Sequence, residues 1–205
     1  MTVSWTPHRF SGGLLALDTA NTVVMRGDAA GFDRFADVAE IARFAEAASA
    51  FRATELGGRR LAAPQPERIA PAVLEIREAT DRLFRNAVVA GGIATDDMPP
   101  FLRACASVLS GGTDRIGAAG TPFGDPATPI AFEVALAVSA LSLLGELSRL
   151  RICPNCRWLF LDRSRNASRV WCDMAVCGNR RKARRHYRRR IAAGGKAAAR
   201  EVDNV

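Results

Sequence analysis

The sequence predicts a mainly α-helical fold: a helical N-terminal domain followed by a small, cysteine-rich C-terminal module that ends in a basic helix. Three observations carry that expectation. Apolar residues recur at three- and four-residue spacing through most of residues 14–150. Four of the five cysteines fall between positions 153 and 177. The charge also changes sign along the chain: residues 1–148 hold 13 Arg against 17 Asp and Glu, whereas residues 149–205 hold 16 basic residues against 4 acidic ones. With 205 residues, 48% of them hydrophobic and 24% charged, disordered and collagen-like classes are excluded, and the length allows one full domain with an appendage.

The helices are expected in this order. Leu14–Met25 is a short apolar segment at helical spacing, closed by Gly27 and Asp28. A second helix starts after Gly31 or Asp33 and reaches Phe51, with Phe35, Val38, Ala39, Ala42, Ala45 and Ala48 on its apolar face. Pro64, Pro66 and Pro71 lead into a third, whose stripe of Val73, Ile76, Ala79, Leu83, Phe84, Ala87 and Val88 ends at Gly91 and Gly92. Thr95, Asp96 and Asp97 suit a helix N-terminus, where negative charge meets the macrodipole; Phe101, Leu102, Ala104, Cys105 and Val108 follow. Cys105, alone on that face, reads as a small hydrophobe. Residues 111–127 lose the period and read as a loop or small hairpin. Thr128 and Pro129 then open a long core helix that runs to Arg149 or Leu150. The run Pro129–Leu147 carries Glu133 and Glu146 and falls short of the ~20 clean apolar residues of a membrane span. No secretory signal pattern stands at the start, so the expected location is cytoplasmic, with no membrane partner.

Cys153 and Cys156 are separated by two residues, Cys172 and Cys177 by four, with fifteen residues between the pairs. Two tight thiolate pairs at such an interval suit tetrahedral Zn²⁺: each pair closes a backbone knuckle, and the interval accommodates a hairpin that joins them. The expected hairpin has Leu159–Leu161 as one strand, Asp162–Asn166 as the turn, and Val170 and Trp171 on the return strand. Four thiolates fill the coordination sphere, so one structural zinc per chain is expected, with no open position for a substrate water. The alternatives are reduced buried thiols or a redox pair, but a module of some 35 residues with so few large apolar groups needs a staple. A treble-clef or ribbon-like module is expected, the former favoured because Cys177 would stand at the N-terminus of the last helix.

Beyond Gly178 and Asn179, Ala183, Tyr187 and Ile191 recur every fourth residue. They form one apolar stripe, expected to pack on the zinc hairpin near Phe160 and Trp171. Arg180, Arg181, Lys182, Arg184, Arg185, Arg188 and Arg189 occupy the other faces. Lys182 and Lys196 are the only lysines in the chain, and arginine is the residue suited to bidentate contact with phosphates and guanine edges. These positions are the expected nucleic-acid contacts. Docking of the basic face on the chain's own acidic domain is the competing expectation. The domains are accordingly 1–150, 151–192 and a flexible tail over 193–205.

The residues from Cys153 to about Arg190 resemble the CGNR zinc-finger proteins. The naming sequence stands here as Cys177, Gly178, Asn179 and Arg180, and Phe160, Asp162, Ser164, Arg165, Asn166, Trp171 and Cys172 occupy family-like positions. The N-terminal part resembles the ABATE domain that usually precedes this finger, on Leu15, Ala16, Leu17, Asp18, Asn21 and Thr22 and on Ile76, Arg77, Glu78 and Leu83. The resemblance implies a bacterial, stress-induced transcription regulator whose finger binds DNA.

Asp18, Asn21 and Thr22 share one face of an apolar helix and must find hydrogen bonds. Either they tie that helix to neighbouring backbone or to Arg77, or Asp18, Asn21, Thr22 and Arg77 line a pocket for a small-molecule effector. A DNA-binding regulator is therefore the expected function, and one finger reads too few base pairs alone, so a homodimer is expected. An RNA-binding or ribosome-associated module is the alternative, favoured if Trp171 and Tyr187 are exposed for stacking. A further alternative is an enzyme in the N-terminal domain with the finger as a targeting tag, but it is not the expected one: the chain has no glycine-rich phosphate loop and no nucleophile elbow, and His8, which has no evident partner, is the only histidine in residues 1–148.

Overall fold

The computed structural model describes residues 3–110 and 127–202, with side chains as far as Ile191. The loop or hairpin expected over 111–127 therefore lies, except for its last residue, outside the described residues. In chain order the elements are α1 (Leu15–Ala20), β1 (Val23–Val24), β2 (Phe32–Asp33), α2 (Ala39–Phe51), β3 (Leu61–Ala62), α3 (Pro66–Ala90), α4 (Met98–Leu109), β4 (Ile130–Ala131), α5 (Phe132–Ser142), β5 (Leu150–Ile152), β6 (Leu159–Leu161) and α6 (Asn179–Val202). The fold is mostly helical, as expected. No helix among the described residues is long and apolar enough to cross a membrane.

The centre of the fold is α1, every residue of which is buried, packed between α3 and α5. Helix α3 matches the sequence reading closely. Its buried face includes Val73, Ile76, Leu83, Phe84 and Ala87, and it stops at Gly91, which takes φ +78°, a left-handed conformation that only glycine adopts at no steric cost. In α4, Phe101, Ala104 and Cys105 face the core, and burial pushes the Cys105 thiol up to about 11. Cys105 is thus the inert hydrophobe that its setting suggests.

Three elements differ from expectation. Helix α1 ends at Ala20, not Met25. Both the N–H and the hydroxyl of Thr22 turn back to the Thr19 carbonyl (3.1 and 2.7 Å), and the chain leaves into β1, which pairs antiparallel with β2. Helix α2 starts at Ala39, with Phe35 packing from outside it and Ile41 and Phe44 completing its buried face. The core helix expected from Pro129 starts at Phe132, because the Ile130 N–H donates to the Arg60 carbonyl (2.9 Å) and β4 pairs in parallel with β3. Beyond Ser142 it tightens into a 3-10 turn, Leu143–Arg149.

The free N–H groups at the start of α1 are met from elsewhere in the chain. Leu15 N–H donates to Glu55 Oε2 (2.9 Å), and Ala16 N–H donates to Ser139 Oγ (3.0 Å), whose own hydroxyl donates to Glu55. Burial pushes Glu55 upward. Burial likewise pushes Asp18 up to about 7, against the pull of the Arg52 guanidinium at 2.5 Å and the Gly12 N–H at 2.9 Å.

The expected boundary at residue 150 does not interrupt the packing. Leu150, Leu159 and Leu161 belong to the core of the helical body, whereas Phe160, on the opposite face of the same strand, packs with the cysteines. This is the two-residue side-chain period of a strand at work. The outer edge of β6 is covered by the N-terminal segment. Leu161 N–H donates to the Gly12 carbonyl (2.8 Å), Leu159 N–H donates to Asn21 Oδ1 (3.0 Å), and Asn21 Nδ2 donates back to the Leu159 carbonyl (2.9 Å). Replacing Asn21 with Leu leaves two buried backbone groups unpaired at ~1–3 kcal/mol each. We expect Asn21→Leu to lower unfolding free energy by roughly 2–6 kcal/mol in a urea titration while zinc content stays at the wild-type value; a change below about 1 kcal/mol contradicts this account.

Candidate metal centre

Strand β5 pairs antiparallel with β6, placing Ile152 opposite Leu159, and the chain between them folds into a knuckle that carries Cys153 and Cys156. Cys153 N–H donates to the Trp158 carbonyl (2.9 Å), and Arg157 N–H donates to the Cys153 carbonyl (2.8 Å). Arg157 takes φ +63° to close the turn, and its carbonyl is held by Arg85 of α3 (2.8 Å), itself paired with Asp81. The partner of β6 thus precedes the first cysteine pair. The expected return strand at Val170 and Trp171 does not form, because β5 occupies one edge of β6 and the N-terminal segment the other.

Asp162 organises the segment that replaces that strand. It accepts from Ser164 N–H (2.9 Å), Ser164 Oγ (2.6 Å) and Arg169 N–H (2.7 Å). Burial works against its charge, but these bonds outweigh it and hold the carboxylate below its usual range. Arg169 then fixes the next turn by donating to the Trp171 and Cys172 carbonyls, with its guanidinium 5.3 Å from the centre of the Phe160 ring. Asp173 caps the one-turn π-helix Met174–Gly178, accepting from Ala175 N–H (2.8 Å) and Val176 N–H (3.2 Å), and this turn delivers Cys177 directly before α6.

The four sulfurs of Cys153, Cys156, Cys172 and Cys177 converge within 4.8 Å of one another. Cys156 and Cys172 stand 3.5 Å apart, and Cys172 and Cys177 3.6 Å. These spacings exclude a disulfide, whose sulfurs lie ~2.05 Å apart. They lie close to the ~3.8 Å edge of a tetrahedron with ~2.3 Å zinc–sulfur bonds. Hydrogen bonds from Cys156 and then Cys172 pull Cys153 well below the usual thiol range, while Cys156 and Cys172 are pushed up. The cluster favours its first thiolate strongly and resists further ionisation, which is the electrostatic situation that a divalent cation relieves. Three of the four cysteines are fully buried, so the donor set fits one closed, structural zinc.

Residues 149–190 match the CGNR zinc finger family. The match begins at β5 and ends inside α6, so it covers the hairpin, the cysteine cluster and the arginine run together. No curated protein matches the chain.

Around this zinc finger, the structure adds residues that sequence reasoning missed. His8 Nδ1 lies 2.8 Å from Asp173 Oδ2, and its ring stacks on Trp158 at 5.3 Å between centroids. The histidine that had no evident partner thus clamps the turn bearing Cys177 against the knuckle bearing Cys153. A separation of 165 residues leaves no local signal for such a contact.

The nucleic-acid residues expected on α6 are all present on it. Residues 179–191 are exposed without exception, and no ion pair among the described residues reaches Arg180, Arg181, Lys182, Arg184, Arg185, Arg188 or Arg189. Among the described residues, none of these side chains is ion-paired with the acidic domain. The stripe of Ala183, Tyr187 and Ile191 does not pack on the zinc hairpin either: Tyr187 is 66% and Ile191 58% exposed, because α6 departs from the hairpin after the π-turn. Its backbone stays helical through residues 193–202, the stretch expected as a flexible tail.

Asp18, Asn21, Thr22 and Arg77 are all buried and bonded within the chain. Arg77 donates to Thr22 Oγ1 (3.2 Å) and forks onto both oxygens of Asp33 (2.8 Å each), while Asp18 and Asn21 serve Gly12, Arg52 and Leu159 as described above. These contacts correspond to the first of the two roles expected of them, fastening α1 to its neighbours.

Proposed function

We propose that the chain is a zinc-dependent, DNA-binding transcription regulator in which the zinc finger, arranged as a treble clef, presents α6 to the duplex. One observation carries this reading: a run of arginines stands in solvent on a helix that leaves the cysteine cluster directly, with no acidic partner among the described residues. Unpaired arginine on a rigid support is what phosphate and guanine recognition requires, since the fork geometry is set before contact. Zinc plays no chemical part; it fixes the knuckle and the π-turn from which α6 emerges. The helical body, ABATE-like in its opening motif, supplies dimerisation, effector sensing or both, and no enzymatic role is assigned to it. The test is duplex DNA binding across a salt series. Affinity falls steeply with salt if the reading holds, by ~0.9 in the slope of log K against log salt for each phosphate neutralised, and a salt-insensitive complex overturns it.

RNA is the second reading, favoured by the exposure of Tyr187, which offers an aromatic face to unpaired bases. Phosphate contacts alone do not separate the two polymers, so competition between duplex DNA and structured RNA at one fixed salt concentration decides.

A further inference from the structure

At the root of α6 the structure forms an open groove of about 460 Å³ between the zinc knuckle and the helix, lined by Pro154, Trp171, Gly178, Arg181, Lys182 and Arg185. Its composition differs from the rest of the arginine surface. One wall is an indole, one a proline ring, and the rim carries three cations with no acidic partner among the described residues. Trp171 is half-buried and packs against the cysteine cluster, and its backbone carbonyl is held by Arg169 Nε at 2.8 Å. Gly178 approaches it closely. A Cβ at that position would stand 3.3 Å from Trp171 Cδ1 and would displace the Met174 thioether, so glycine here lets the helix start lie close beside the indole.

The groove is also continuous with the phosphate track. Arg181 and Arg185 are shared with a second depression of about 330 Å³ that runs along α6 to Arg184, Arg188 and Arg189. From Arg181 to Arg188 the helix rises roughly 10 Å, the reach of about two phosphates. A strand following those arginines toward the zinc site meets an aromatic face at the end of a cationic run, the combination that holds single nucleotides in strand-binding proteins. Three neighbouring cations and one ring suit a nucleotide, with its phosphate on the rim and its base on the indole, and 460 Å³ is within the usual volume range of a ligand site.

We infer that this groove seats one unstacked nucleotide of the bound nucleic acid, its base against Trp171 and its phosphate among Arg181, Lys182 and Arg185. The inference rests on the nucleic-acid reading of α6 and sharpens it: the preferred target is a duplex with an unpaired nucleotide, not a continuous duplex.

The experiment compares, at one salt concentration, a continuous DNA duplex with the same duplex carrying a single bulged nucleotide, using the zinc-loaded full chain. The expected preference for the bulged duplex is about tenfold, the size of one base–aromatic stack. In Trp171→Leu, with zinc content checked in the same preparation, the two duplexes bind alike. Equal affinity in the wild type, or a preference that survives in Trp171→Leu, overturns the inference while leaving duplex binding by α6 intact. Failure of both duplexes to bind overturns the reading of α6 itself, and the groove with it. Should Trp171→Leu lose zinc, the indole N–H resonance missing from Trp171→Phe serves instead. It shifts on adding the bulged duplex and not the continuous one, and equal behaviour with both overturns the inference.

Discussion

Replacing Cys172 with Ser, or chelating the metal, is expected to weaken the entire chain and not only its last fifty residues. The zinc module has too few large apolar groups to hold its shape alone, and structural zinc supplies apparent stabilisation of ~10–16 kcal/mol in small modules. Without it only the His8 contacts with Asp173 and Trp158 join the π-turn to the knuckle. The consequence spreads because Leu150, Leu159 and Leu161 of the hairpin are part of the main core and β6 is bonded to Gly12 and Asn21. Losing three buried leucines at ~1.5–3 kcal/mol each costs the helical body roughly 5 kcal/mol or more. At roughly 2–4 °C per kcal/mol for a chain of this size, the helical melt followed by circular dichroism should fall by about 10–20 °C on chelation. An unchanged helical transition would show that the body is independent of the finger, against the shared core.

The second large effect concerns α6. Changing Arg181, Arg184, Arg185 and Arg188 together to Ala is expected to lower the salt slope of duplex binding by roughly three to four units, at ~0.9 per phosphate contact. Zinc content and thermal stability should hardly change, since all four side chains are exposed and form no ion pair among the described residues. Alanine also favours the helix more than arginine does, so lost affinity would not reflect a melted α6. A variant that keeps the wild-type slope would place the phosphate contacts elsewhere on the surface.

The parts of this fold that were legible in the sequence are those written in consecutive residues. Helix α3 could be read from its stripe at Val73 to its stop at Gly91 because those positions repeat one period, although it starts at Pro66 and carries Pro71 inside it. The cysteine cluster was legible because the spacing of thiolate pairs is itself the geometric requirement of the metal. The paired elements were not. Strands β1 to β4 have two residues each, too few for a period of two to register, and each depends on a partner that local sequence does not name. The late start of α5 and the choice of β5 as partner to β6 follow from the same cause. The Asn21 bond to Leu159 spans 138 residues, and the His8 contact with Asp173 spans 165. The amphipathic pattern of α6 was legible but misleading: a stripe of Ala183, Tyr187 and Ile191 suggests burial, yet the helix leaves the body and exposes it.

The exposure of α6 and the closed cysteine site together make one central claim, that zinc builds the platform from which arginines read nucleic acid. The most direct test is metal content and duplex DNA binding measured on one preparation across a salt series, before and after chelation. The account predicts one zinc per chain, steeply salt-dependent binding, and loss of that binding when the metal is removed. Stoichiometric zinc without affinity for any nucleic acid, or binding that survives full chelation, would contradict it.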